Sequence, residues 1–223
     1  MELVLIRHGE SLHNVRMSES FDSELTEKGR VQARLTGREL AGEGIEEIWC
    51  SPMKRALETA SLIAGQLKIP VKVMVELSEF LLTLGEPGYS RSTILEKFPM
   101  VELPPEVDEE GWGRHRNSEQ LDELRSRMKV VADRIQKLAQ TEPEKKLALV
   151  VHGISGTELI KHLLHISFEH PLYLSMCNCG ISRLHYDAES GEWIVFCIND
   201  AHHLGSLADV KHLPRIFPAE YSY

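Results

Sequence analysis

Four apolar residues in a row, Leu3, Val4, Leu5 and Ile6, predict a buried strand over residues 2–7, and the next four, Arg7, His8, Gly9 and Glu10, break that pattern completely. Behind this break, "LTEKGRVQARLTGRELAGEG" reads as a helix with Thr26 as N-cap, Leu35 and Leu40 on its apolar stripe, and Gly42 and Gly44 as stop signals. "IEEIWC" predicts a second strand. "SPMKRALETASLIAGQL" predicts the clearest helix, with Ser51 as N-cap and Pro52 at the first helical position. "VKVMVEL" predicts a third strand. The alternation then stops. Residues 80–117 are rich in Gly, Pro and acids and hold one short helix around "RSTILEKF".

A long amphipathic helix is expected from about Ser118 to Gln140, with Leu121, Leu124, Met128, Val131, Ile135 and Leu138 on one face. "KLALVVH" is apolar up to its His and predicts a fourth strand, central and parallel. "SGTELIKHLL" follows as a helix, then "ISRLHYD" and "EWIVFCIND" as two strands around a turn at Ser190-Gly191. With no repeat and no low-complexity linker, residues 1–223 read as one α/β domain. Its expected form is a three-layer sandwich, a mostly parallel central sheet flanked by helices, with a small cap inserted at about 80–117.

Composition narrows the chemistry. The chain has 223 residues, 42% hydrophobic and 26% charged, and carries a formal charge of −9. That balance argues against nucleic acid and anionic membrane as partners, so an anion site must be a local concentration of cations. No apolar run approaches the roughly 18 residues of a membrane helix, and the short apolar run before Arg7 is not a signal peptide. Cys50, Cys177, Cys179 and Cys197 have no metal or redox spacing and read as thiols of a reducing cytoplasm.

Cations recur at strand ends. The first strand runs into Arg7-His8-Gly9, the second into Ser51-Pro52 with Arg55 just behind, and the fourth into His152-Gly153. In open parallel sheets ligands bind outside the carboxyl ends of the strands, and right-handed crossovers bring those ends to one edge. Arg7, His8, Arg55 and His152 are therefore expected side by side, among helix N-termini that add positive dipole ends. Gly9 and Gly153 are expected to let backbone approach a ligand closely. Such a pocket suits a phosphoryl group. A lone His after a strand is most often structural, but two His and two Arg at equivalent junctions repel one another unless an anion joins them.

"RHGESLHN", "LTEKGRVQA", "SPMKRALETA", the acid in "ELSEF", "VVHGIS" and "NDAHHL" resemble, in order from residue 7 to residue 204, the histidine phosphatase superfamily, the phosphoglycerate-mutase-like proteins. The resemblance implies that His8 is a nucleophile that becomes a phosphohistidine and that Arg7, Arg55 and His152 clamp the phosphoryl oxygens. It also implies Asn14 as a further donor, and Glu79 as proton donor to the leaving oxygen and then as the base for water. The chemistry agrees with this. A nucleophilic His must be neutral, which nearby cations favour. Guanidinium forks and a cationic second His supply the positive charge, so neither a metal nor any other cofactor is required. The expected activity is hydrolysis of a phosphomonoester of a small metabolite. In the cap, Arg114 and Arg116 are the candidates for reading the substrate beyond its phosphate.

Three rival readings fit parts of the chain. "HLLHISFEH" puts His162, His165, Glu169 and His170 at spacings that can hold a metal, although Leu159, Ile160, Leu163 and Leu164 mark a buried stripe that leaves the His pair at its polar margin. His202 and His203 are adjacent, so at most one of them is expected to face the pocket. A catalytically inactive module that binds a phosphorylated ligand is the second rival, which the intact His pair and acid disfavour. The third is phosphoglycerate mutase chemistry. Ser11, in place of the Thr common among related phosphatases, leans towards it, and "FLLTLGEPG" lacks their usual Gly and Trp-Glu-Gly pattern. The acidic "VELPPEVDEEG" leans against it, because mutases carry a longer basic insertion.

Overall fold

The computed structural model describes residues 1–80, 86–113, 118–169 and 172–209. At its centre lies β5 (Lys146–Val151), the most continuously apolar strand, parallel to both its neighbours β1 (Glu2–Arg7) and β2 (Glu47–Cys50). Beyond β2 come β3 (Val71–Val73) and β4 (Val101–Glu102), also parallel; beyond β1 come β6 (Ile181–Asp187) and β7 (Glu192–Asp200), antiparallel. The sheet order is β4-β3-β2-β5-β1-β6-β7.

Strand alternation sorts the core into two layers. Leu147, Leu149 and Val151 of β5 join Leu3 and Leu5 of β1 on one face, under α4 (Leu121–Thr141) and α5 (Gly153–Leu163). Ala148 and Val150 join Val4 and Ile6 on the other, under α2 (Lys54–Leu67), with α1 (Glu27–Glu39) packed beside it. Both faces of β5 are covered, which is why its sequence does not alternate. Leu124, Met128, Val131 and Ile135 form the buried stripe of α4. No helix among the described residues is long and apolar enough to cross a membrane.

The inserted segment adds to the sheet. It contributes α3 (Arg91–Lys97), capped by Ser90, and the two-residue strand β4, too short to show any period. Its Ile94, Val101, Val107 and Trp112 are buried in the same cluster as the second face of the sheet.

Several element ends differ from the pattern's expectation. Thr26 does cap α1, accepting from Gly29 N. Ser51, however, does not cap α2: its Oγ accepts from Met53 N at 3.2 Å in the turn leaving β2. The helix starts at Lys54, so Pro52 lies before it, and Lys54 N donates instead to Asp22 Oδ1 at 2.8 Å. A cap supplied from 32 residues away leaves no trace in local sequence. β3 ends at Val73 and a 3-10 turn, Val75–Leu77, carries the chain onward. All four cysteines are free thiols; Cys50 and Cys179 are buried, and Cys177 and Cys197 are half-buried.

Candidate active site

Register brings the two histidines together. Arg7 of β1 is paired with Val151 of β5, and His8 N donates to Val151 O at 3.0 Å, so His8 and His152 leave the sheet side by side. Their ring centroids are 5.0 Å apart at a tilt of 56°. Both side chains are buried. Arg55 enters from the first turn of α2, and its Nε donates to His8 Nε2 at 3.1 Å.

These contacts define the form of His8. Its Nδ1 lies 2.7 Å from Gly9 O, an acceptor only, so Nδ1 carries the proton. Nε2 then presents its lone pair, to which Arg55 donates. Burial, reinforced by Arg55 and Arg7, holds the imidazole well below its ordinary pKa. The ring is neutral, with the lone pair a nucleophile needs.

His152 corrects an expectation. Sequence reasoning made it a cation, but burial first, then Arg55, His8 and Arg7, hold it well below its ordinary pKa, and it is neutral here. Its two ring nitrogens and Arg7 Nε are buried and find no hydrogen-bond partner among the described residues. Buried polar groups in that state are expensive; an anion seated among them would accept from Arg7 Nε and from the ring's N–H, and from the second nitrogen once His152 gains a proton.

At Gly9 the structure adds a steric requirement. A Cβ there would stand 2.6 Å from Gly29 O, the carbonyl of a residue in α1. α1 packs so closely against Gly9 that no side chain fits there. Gly153, by contrast, lies under open polar groups: a Cβ would meet Tyr173 Oη at 3.0 Å, Glu79 Oε2 at 3.9 Å and Arg7 Nε at 4.0 Å.

The remaining candidates divide. Asn14 Oδ1 accepts from Ser11 N at 3.1 Å and from Asn178 Nδ2 at 3.2 Å, which leaves Nδ2 as the group Asn14 has to offer. Glu79 reaches the site, with Oε1 accepting from Ser155 N and Phe80 N, each at 2.9 Å, and Oε2 from Ile154 N at 3.2 Å. It therefore caps α5 beside Gly153. Arg114, Arg116 and His170 lie outside the described residues. His162 Nε2 bonds Arg125 O, and His165 sits in the left-handed region at φ 52°. His203 bonds Thr36 of α1, and His202 pairs with Asp200 and Glu39, so their partners lie along α1 and β7. Among the described residues no group of three or more His, Cys, Asp or Glu could hold a metal.

Four further residues build the surroundings of the site. Asn178 Nδ2 donates to His8 O at 2.9 Å. Asp22 is buried beside Arg55, which favours its carboxylate while burial pushes its pKa up. Glu86 accepts from Ser20 Oγ and Phe21 N, and Phe21 O in turn accepts from Arg55 Nη1. Arg127 donates to the carbonyls of Glu76, Ser78 and Glu79, fixing the segment that carries the acid. The only local signal for any of them is polarity in a loop or on a helix flank.

Residues 3–200 match the family model described as histidine phosphatase superfamily (branch 1). The chain is 30% identical over 224 residues to a probable phosphoglycerate mutase GpmB of Erwinia tasmaniensis, covering 93% of this chain and 97% of that protein. Its counterpart in Yersinia enterocolitica is also 30% identical, covering 92% and 95%. Among solved structures, the chain resembles a phosphoserine phosphatase of Entamoeba histolytica in complex with 3-phosphoglyceric acid, at 25% identity and a TM-score of 0.64, covering 91% of this chain and 98% of that one. A mycobacterial glucosyl-3-phosphoglycerate phosphatase in complex with VO3 matches at 25% and 0.64, covering 90% and 99%.

Proposed function

The chain belongs to the histidine phosphatase superfamily, and we propose that it hydrolyses a small phosphomonoester through a phosphohistidine formed on His8. The observation that carries this reading is the form of His8: Nδ1–H is fixed on Gly9 O, while Nε2 faces Arg55 with its lone pair available. The phosphatases among the structural neighbours and the acidic insertion favour hydrolysis. Relatives named probable phosphoglycerate mutase keep transfer as the second reading.

Each group has a role under this proposal. As the phosphoryl group enters, Arg55 Nε turns from His8 Nε2 onto a phosphoryl oxygen. Arg7 Nε and His152 find in the other oxygens the partner they lack, and the incoming negative charge favours a proton on His152. Nε2 attacks phosphorus, the P–O bond to the alcohol breaks, and Glu79 gives that oxygen a proton. Oε2 is the atom to carry it, since it accepts one backbone bond and Oε1 accepts two. Nδ1–H to Gly9 O stabilises the charge on the phosphorylated ring. In the second half, Glu79 takes a proton from water, which attacks phosphorus and returns His8 neutral. Asn14 Nδ2 and the open space over Gly153 complete the substrate-facing wall. Arg114 and Arg116 are proposed to read the substrate beyond its phosphate.

The positive charge comes from Arg7 and Arg55, so catalysis runs without a divalent cation, and four free thiols suit a reducing, cytoplasmic setting. The decisive experiment is rapid quenching with labelled substrate. Acid-labile, base-stable label is expected on wild type and none on His8→Ala, with activity unaffected by EDTA. Label that survives the substitution would remove His8 from its role. Retention of the label in the presence of phosphoglycerate, with transfer stimulated by bisphosphoglycerate, would favour the mutase reading.

A further inference from the structure

Tyr173 lies in an irregular segment three residues before Met176, whose carbonyl accepts from Arg7 Nη1 at 2.5 Å. Its hydroxyl reaches the point over Gly153 described above, within 3.0 Å, and Glu79 Oε2 and Arg7 Nε border the same point at 3.9 and 4.0 Å. Only a glycine leaves that space open, because any Cβ on residue 153 would press against the phenol. An acid, a guanidinium N–H and a phenol therefore converge on one small volume at the start of α5.

We propose that Tyr173 contacts the substrate on its leaving-group side and donates a hydrogen bond to the bridging oxygen as the P–O bond breaks. The inference rests on the phosphohistidine reading, in which Glu79 Oε2 serves that same oxygen. Burial, with the Glu79 carboxylate beside it, pushes the phenol up to about 12, so the hydroxyl keeps its proton across the working range. No bond to Tyr173 forms or breaks. The proton that ends on the alcohol comes from Glu79, and Tyr173 stabilises the negative charge that builds on the oxygen before that proton arrives. A fixed donor with its proton retained is suited to this, because it needs no reorganisation during the step.

The test is Tyr173→Phe, which keeps the ring and removes only the hydroxyl. Phosphoenzyme formation is measured over a series of alkyl and aryl phosphates whose alcohols span a wide range of acidity. The expected result is a steeper dependence on leaving-group pKa. Alkyl phosphates should lose about 10- to 100-fold, the range of a hydrogen bond to a charged group. p-Nitrophenyl phosphate, whose leaving oxygen is already stable, should change little and report an intact pocket. A loss that is equal across the series, or no loss at all, overturns the inference. So does an absence of further loss in the Glu79→Gln background, since Tyr173 would then only position Glu79. If wild type forms no phosphohistidine, the parent reading fails and this inference with it; normal label in both proteins with parallel rates overturns the inference alone.

Discussion

Arg55 Nε donates to His8 Nε2 at 3.1 Å, so in the resting protein the nitrogen proposed to attack phosphorus is already held by a member of the proposed phosphate clamp. The same guanidinium donates from Nη1 to Phe21 O and from Nη2 to Met53 Sδ at 3.3 Å. Three acceptors in three directions need a planar fork, which an ammonium cannot imitate. Both Arg55→Ala and Arg55→Lys should therefore slow His8 phosphorylation, by about the 10²–10³-fold seen when one preorganised donor is lost. Arg55 is also the strongest of the charged neighbours that lower the His8 pKa. An NMR titration should find that pKa raised in Arg55→Ala, and an unchanged value would contradict the coupling.

Glu79→Gln tests the proton transfer. Expelling an alkoxide needs a proton, whereas p-nitrophenolate leaves without one. Phosphoenzyme formation from an alkyl phosphate should fall roughly 10²–10⁴-fold, and from p-nitrophenyl phosphate much less. Dephosphorylation should slow as well, giving a burst of nitrophenol. Glu86 makes the contrast: its carboxylate is engaged by Ser20 and Phe21 beneath Arg55. Glu86→Gln should therefore weaken both substrates alike.

Buried neutral histidines set a pH dependence of stability. His8 and His152 titrate near their ordinary 6.5 once unfolded but well below it in the fold. Below about pH 6.5 the unfolded chain binds more protons, so stability falls as pH falls, by up to about 1.4 kcal/mol per pH unit for each histidine. His162 and His203, also lowered chiefly by burial, act with the same sign. Urea midpoints between pH 7.5 and 5 should decline, and replacing His8 and His152 by Asn should flatten the decline.

Two glycines should respond oppositely to alanine. A Cβ on Gly29 would stand 2.1 Å from Glu10 O, so backbone must move, at about 1–3 kcal/mol by the usual cost of overpacking. Gly65, exposed within α2, has nothing within 4 Å of its Cβ position and no strained φ. Gly65→Ala should stabilise by about 0.5–1 kcal/mol through helix propensity. Urea denaturation of both variants decides it.

The sheet and the cation edge were legible because β1, β2 and β5 each end in an abrupt change from apolar residues to Arg, His or Ser. Buried strands must be apolar, and their exits need not be. Arg7, His8, Arg55 and His152 could be read this way since topology alone gathers strand ends. Asp22, Asn178 and Arg127 could not, because each reaches the site from a segment whose local pattern is ordinary. The resting charge of His152 was not legible for a related reason: sequence gives the neighbours of a group but not how deeply the fold buries it. Gly9 shows the same limit in steric form, since nothing near residue 9 announces that Gly29 will press on it. α2 was started too early because its first amide is capped by Asp22 from another loop.

The pairing of β1 has a temporal consequence. Its two neighbours in the sheet, β5 and β6, begin at residues 146 and 181, so the strand that carries His8 leaves the ribosome first and waits longest for partners. At ordinary translation speeds that wait is on the order of 10 s. Throughout it, Leu3, Val4, Leu5 and Ile6 have no strand to join, and His8 has no His152 beside it. His8, the proposed nucleophile, is thus made well before the strands that flank it, so an incomplete chain that stops before β5 carries His8 without His152 or the pocket built around the pair.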